Sequence, residues 1–283
     1  MSAEHSLSQL CAVFEVTGSG YHAWQKRPSS ARARADAALL SAIQVIHAGH
    51  RERYGAPRIH RELAEQGRHH GRKRIARLMK QGGLRGRCSR RFVPRTTDSD
   101  HQEPIAPNRL AEAPAPTGPN QTWVSDLTYV KTDEGWLYVA VILDLWSRRV
   151  VGWSCGDTLA AVVVLAALRM ALKHRQPPKG LLHHSDRGVQ YASGEHRALL
   201  KAAGMEASMS RAGNPYDNAA MESFMATYKR ECVGLAEEEH GGYASRTEAS
   251  LDFFQYVETY YNRRRRHSAL GYKNPVDFEN QMN

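Results

Sequence analysis

Three carboxylates stand far apart in this chain of 283 residues: 35 residues separate Asp186 from Glu222, and Asp126 lies 60 positions upstream of Asp186. Each sits in a distinctive string, Trp123-Val124-Ser125-Asp126-Leu127-Thr128, His183-His184-Ser185-Asp186-Arg187-Gly188 and Asn218-Ala219-Ala220-Met221-Glu222. The first two strings read as strand ends and the third as a helix. Carboxylates delivered from separate elements suit hard divalent cations, which take oxygen ligands; Mg²⁺ is usually held by one or two carboxylates together with substrate phosphates. Two such ions about 3.5–4 Å apart activate one oxygen and stabilise another in an in-line displacement at phosphorus. A single Asp in a strand is equally well a hydrogen-bonded surface residue, and Asp144, also in a strand, is by composition as good a ligand as Asp126.

The elements around the three must bring them together. Thr122–Lys131 reads as a strand, Thr132-Asp133-Glu134-Gly135 as a hairpin turn, and Trp136–Trp146 and Arg148–Cys155 as two more strands. Thr158–Lys173 is an almost wholly apolar helix, which should be buried. Gly180–His184 is a short strand ending beside Asp186, followed by a helix at Gly194–Ala203, a strand at Glu206–Ser210, a turn at Gly213-Asn214-Pro215 and a helix at Tyr216–Cys232. The order β-β-β-α-β-α-β-α describes a mixed sheet with helices on both faces. If the first and fourth strands are neighbours, Asp126 and Asp186 meet at one edge and Glu222 approaches from its helix. Asn218 precedes Glu222 by four residues, on the same helix face, where its amide could orient Glu222 or touch substrate. His184 reads as a donor behind Asp186 or a buried strand histidine, and Arg187 as a phosphate contact or a structural ion pair. The acidic stretch Ala236–Gly242 reads as a solvated loop, and Arg246–Arg264 as a last long helix with Leu251, Phe254, Val257 and Tyr261 on one face.

Charge is divided unevenly. Residues 1–95 hold 19 Lys/Arg against 6 Asp/Glu, and residues 96–283 hold 20 against 23. A basic module joined to a near-neutral one points to a polyanionic partner, with nucleic acid first. Residues 1–30 read as a helix, tight turn and helix. Residues 31–92 read as a basic helix-turn-helix domain: Arg58–Gln66 and Arg72–Gln81 are short helices joined at Gly67, the second intensely basic and ended by Gly82-Gly83. Arg72, Lys73, Arg74 and Arg77 are the leading candidates for DNA contact, Arg58 and Arg61 weaker ones, and Arg263, Arg264, Arg265 and Arg266 a further run at a helix end. Half of the 12 prolines fall between Pro94 and Pro119, so residues 93–119 read as a semi-extended, separable linker. A catalytic region is expected over 120–235 and a C-terminal helix and basic tail over 236–283. Cys11, Cys88, Cys155 and Cys232 are scattered singly, without zinc or disulfide spacing. Leu159–Leu172, the longest apolar stretch, is broken by Arg169 and too short to span a membrane. A soluble, cytoplasmic, nucleoid-associated protein is expected.

Several strings in register carry a resemblance. They are Arg53-Tyr54-Gly55-Ala56-Pro57-Arg58-Ile59, Trp123-Val124-Ser125-Asp126-Leu127-Thr128-Tyr129 and His184-Ser185-Asp186-Arg187-Gly188-Val189-Gln190-Tyr191, then Gly213-Asn214-Pro215-Tyr216-Asp217-Asn218, Glu222-Ser223-Phe224 and the segment from Tyr261 to Tyr272. The set resembles the DD(35)E triad of transposases and retroviral integrases, and in detail the second-frame (OrfB) transposases of bacterial insertion sequences with two overlapping reading frames. Met225, Tyr228 and Gly18 depart from that pattern. The resemblance implies a ribonuclease H-like integrase core in which Asp126, Asp186 and Glu222 hold two Mg²⁺ ions, with Mn²⁺ able to substitute. It implies nicking of the element's ends, then attack by the freed 3′-hydroxyl on another phosphodiester, first joining one strand of the two ends into a branched circle. Implied partners are double-stranded DNA, the first-frame product, often as a fusion, and further copies of the chain on DNA. Two other readings remain: a DNA-binding regulator with an idle core, and a structure-selective nuclease.

Overall fold

The computed structural model of the chain describes residues 5–87, 103–211 and 218–281. The start of the expected linker and the Gly213-Asn214-Pro215 turn lie outside the described residues. The chain divides into two compact units, Met1–Gly86 and Arg87–Asn283.

The first unit is helical. Ser6 and Gln9 form a capping box at the start of α1 (Leu7–Val13), and Thr17 caps α2 (Gly18–Lys26). Ser30 caps α3 (Ala31–Gly49), Pro57 occupies the first turn of α4 (Ala56–Glu65), and α5 (Arg72–Gln81) follows Gly71. Ile43, Ile59, Leu63, Ile75, Leu78 and Met79, at helical spacing on these last three helices, are buried together. Arg74 and Arg77 both pair with Asp36 of α3 at 2.7 Å, holding the Asp36 carboxyl below its usual range.

The second unit is built on a five-stranded sheet in the order β3-β2-β1-β4-β5. β1 (Thr122–Thr132) pairs antiparallel with β2 (Gly135–Asp144), and β2 with β3 (Val150–Gly156); β4 (Leu182–Ser185) runs parallel to β1, and β5 (Glu206–Met209) parallel to β4. On β2, Ala140 and Ile142 pack into a core with Trp123, Val151 and the apolar helix α6 (Ala161–Arg175), while the alternate residues Val139, Val141 and Leu143 are buried as well. Since successive side chains face opposite sides of a strand, both faces of the sheet are covered. The short helix α7 (Val189–Ala192) and α8 (Gly194–Ala202) accompany α6; α9 (Ala219–Tyr228) and α11 (Arg246–Phe254) pack on β1 and β2. Gly152 lets α6 close on β3, because a Cβ there would strike the Ala167 carbonyl. Among the described residues no helix is long and apolar enough to cross a membrane.

Three expectations need correction. The helix that carries Glu222 does not stop near Cys232. It passes through a π-helical turn, Lys229–Val233, into α10 (Gly234–His240), so Glu237, Glu238 and Glu239 lie exposed on a helix rather than in a loop. Gly234 is tolerated inside the run. Secondly, α11 widens into a second π-helical stretch, Gln255–Tyr261, before the chain turns to α12 (Pro275–Asn280). Thirdly, residues 103–110 do not hang as a free tether. Ala106 packs on the core, the Arg109 and Leu110 amides donate to Ser208 Oγ, and Arg109 pairs with Glu206, so the segment covers β5 at the edge of the sheet.

Candidate active site

β1 and β4 are neighbours, and their register places two carboxylates side by side. Val124 pairs with His184; two residues further along, where β4 has just ended, Asp126 and Asp186 stand level. The Gly188 amide donates to Asp186 Oδ1 at 3.0 Å. A Cβ at Gly188 would come within 3.1 Å of that oxygen and 2.8 Å of Gln190 Oε1, so any larger residue there would push on the Asp186 carboxylate and displace the Gln190 side chain. Asp126 is half-buried, and its Oδ1 accepts from the Leu127 amide at 2.8 Å. Desolvation, and then the charges of Asp186 and Glu222, push its carboxyl up to about 8 against the opposing pull of that amide and of Lys229. Glu222 lies in the first turn of α9. Its side chain is exposed, yet surrounding atoms desolvate the carboxyl enough to raise it. Among the described residues, no three His, Cys, Asp or Glu side chains form a closed metal cage.

Asp144 is excluded as the alternative ligand. It is fully buried and accepts from the Asn120, Trp146 and Ser147 amides and from Ser147 Oγ, which makes it the hub of the turn after β2.

The supporting residues have specific partners. His184 is buried behind Asp186, between Ser208 Oγ at 2.8 Å and Ser210 Oγ at 3.0 Å. Asn218 donates from Nδ2 to the Ser125 carbonyl at 3.2 Å, tying the start of α9 to β1 next to Asp126. Arg187 Nε donates to the Ser210 carbonyl at 2.7 Å, which ties the loop after β4 to the end of β5. Lys229 was not singled out from the sequence. It follows Glu222 by seven residues, two helical turns and so the same face, which is the signal that could have found it. Its Nζ lies 5.0 Å from the Tyr129 ring centroid, and its charge is felt at Asp126. Burial lowers its pKa while Asp126 raises it.

The basic candidates separate into groups. Arg61, Arg72 and Lys73 are exposed, and Arg58 lies over the Tyr54 ring at 5.4 Å. Arg74 and Arg77 are engaged by Asp36. Arg263 and Arg264 are exposed, and Arg266 donates to the Tyr272 carbonyl. Arg265 is a correction: it is 4% exposed and grips Glu231 with Nε and Nη2 at 2.7 and 2.8 Å, so it faces the interior rather than DNA.

Comparison with known proteins gives the family and the fold. Two family descriptions, each "Integrase core domain", match residues 116–215 and 203–275, and "HTH-like domain" matches residues 33–92. A 31 kDa protein of insertion element IS600 from Shigella sonnei is 45% identical over 269 residues, 95% of this chain and 97% of its own length. The transposase InsF of insertion sequence IS3A from Escherichia coli K12 is 40% identical over 282 residues, covering 99% and 96%. Among solved structures, a chain of the simian T-cell lymphotropic virus intasome shares the fold with a TM-score of 0.50 at 15% identity, over 78% of this chain and 70% of its own.

Proposed function

The chain belongs to the insertion-sequence transposases that carry an integrase core, and from that premise we propose how its residues cut and join DNA. Asp126, Asp186 and Glu222 hold a pair of Mg²⁺ ions, which Mn²⁺ can replace. The observation that carries this reading is the crowding of Asp186 and Glu222 on a desolvated Asp126, a set of like charges that a shared cation relieves. The donor set fits, because hard oxygen ligands suit Mg²⁺ and two carboxylates per ion leave room for water and DNA phosphate. When bound, the ions lower the pKa of a water or a 3′-hydroxyl and stabilise the leaving oxygen.

The chain's own residues place these groups. Gly188 holds Asp186 in position, Asn218 fixes the start of α9 so that Glu222 faces β1, and Lys229 offers its ammonium to a phosphate beside Asp126. The element's ends are nicked, and the freed 3′-hydroxyl attacks a second phosphodiester. One phosphodiester replaces another, so neither a covalent enzyme–DNA link nor ATP is needed.

Recognition of the ends falls to the helix-turn-helix. Arg72, Lys73 and Arg74 crowd the first turn of α5, which carries no acidic residue and no side-chain cap. Cations there oppose the helix dipole, and a DNA phosphate would answer both the cations and the uncapped amides. Arg58 and Arg61 extend that surface, with Arg74 and Arg77 joining it when Asp36 releases them. Arg263, Arg264 and Arg266 supply phosphate contacts in the second unit. The working species is a multimer on DNA that includes the first-frame product of the element, fused to this chain.

The test incubates the chain with labelled duplexes carrying the element's end repeats. Joined products are expected with Mg²⁺ and absent with EDTA or in Glu222→Gln. Nicking of branched DNA without joining would indicate a nuclease, and binding without metal-dependent products an idle regulator.

A further inference from the structure

The buried Glu231–Arg265 pair lies on the far side of the same helical run that carries Glu222 and Lys229. Glu231 is 1% exposed. It receives two hydrogen bonds from the Arg265 guanidinium and a third from the Tyr256 hydroxyl at 3.2 Å, and Arg265 also packs 5.8 Å from the Tyr261 ring centroid. Both tyrosines come from the second π-helical stretch, Gln255–Tyr261, and Glu231 from the first, Lys229–Val233. π-Helical turns are rare, and they recur at functional sites.

Helix geometry connects this pair to the catalytic face. Two residues span close to half a turn in an α-helix or in the wider π-helical turn, so Glu231, two residues beyond Lys229, points to the opposite side. Whatever fixes Glu231 in the interior fixes the rotation of the run about its axis, and with it the direction of Lys229 toward Tyr129 and Asp126. Stability alone does not explain the pair: a buried ion pair can often be exchanged for well-packed apolar residues without loss.

We propose that Glu231 and Arg265 are positioning residues for the transposition reaction, locking the π-helical turn so that Lys229 is aimed at the catalytic carboxylates. This rests on the transposase reading for its activity assay but not for its second readout. Glu231→Leu and Arg265→Met introduced together should leave the thermal midpoint within a few degrees of the parent and DNA affinity within about threefold, while single-turnover strand transfer falls about 10- to 100-fold, the effect of a roughly 1 Å misplacement. The same two changes made in a Lys229→Met background should cost less than about threefold more, because residues acting through one group are not additive. An unchanged rate, or a full further loss without Lys229, would overturn the proposal.

The second readout needs neither DNA nor metal. In the parent, the Lys229 ε-methylene NMR signal should shift on Asp126→Asn; in the doubly substituted chain that response should vanish, and its persistence would refute the assignment even if the chain proved unable to join DNA. Should the apolar pair fail to fold, Arg265→Lys keeps the charge but loses the two-pronged contact. It should then show a weaker Lys229 response than the parent, whereas a response as large as the parent's would count against the proposal.

Discussion

The basic helix α5 of the N-terminal unit wears its charge outside, whereas the Arg263–Arg266 run of the second unit turns one of its charges inward. On α5, Arg72 and Lys73 are exposed, and Arg74 and Arg77 lie partly exposed against Asp36. In the Arg263–Arg266 run, the third arginine is turned inward on Glu231 and only its neighbours face outward. The two clusters look alike as strings of cations and differ in what lies behind them. Behind α5 is a purely apolar stripe, Ile75, Leu78 and Met79, so each arginine has nowhere to go but the surface. Behind the second run is a carboxylate already buried. The same division sets Asp36, at the surface among cations, against Asp126, crowded by other acids.

The largest contrast should come from breaking the buried pair on one side only. Glu231→Leu alone leaves Arg265 unpaired in the interior and should lower unfolding free energy by about 3–5 kcal/mol in urea titrations, whereas Arg72→Ala with Lys73→Ala should leave it unchanged. Next in size is a pH effect on metal binding. Asp126 has a folded-state pKa raised to about 8, so in the metal-free chain it is largely protonated at neutral pH, and a cation must displace that proton. Calorimetric Mg²⁺ affinity should therefore fall by up to about tenfold for each pH unit below 8. Above that value it should level off, and Asp126→Asn should abolish the dependence. A smaller effect is expected on α5. Arg72→Ala and Lys73→Ala should each reduce the slope of log affinity against log salt by about 1, equally for specific and unrelated DNA. Smallest is Asp36→Asn, which frees Arg74 and Arg77 and should tighten DNA binding about two- to fivefold at low salt, the scale of an exposed ion pair; a weakening would show that Asp36 instead shapes the recognition helix.

Much of the architecture was written in local pattern. Alternation and apolar runs located all five strands and α6, but the adjacency of β1 and β4, on which the meeting of Asp126 and Asp186 depends, was only a condition in the sequence, because periodicity reports no strand order. Glycine was less dependable: Gly83, left-handed, does end α5, but Gly234 sits inside a helical run, because packing of Leu235 and Cys232 outweighs its weak propensity. Asp144 and Asp126 were indistinguishable by type, since only the four donors folded around Asp144 give it a structural role. Arg265 was misread for the converse reason. Its partner lies 34 residues away, and no local string reports a long-range buried contact. The proline-rich segment failed similarly, as its docking on β5 depends on Ser208 and Glu206 almost a hundred residues downstream.

Everything chemical rests on the three carboxylates gripping catalytic metal, and a thiolate exchange tests that most directly. Asp126→Cys, Asp186→Cys and Glu222→Cys each replace a hard oxygen ligand with a softer one that disfavours Mg²⁺. Measured on the element's end duplexes, each variant should lose strand joining in Mg²⁺ and regain part of it in Mn²⁺. A variant that joins DNA in Mg²⁺ as well as the parent would show that its carboxylate holds no catalytic ion, and the account would be wrong.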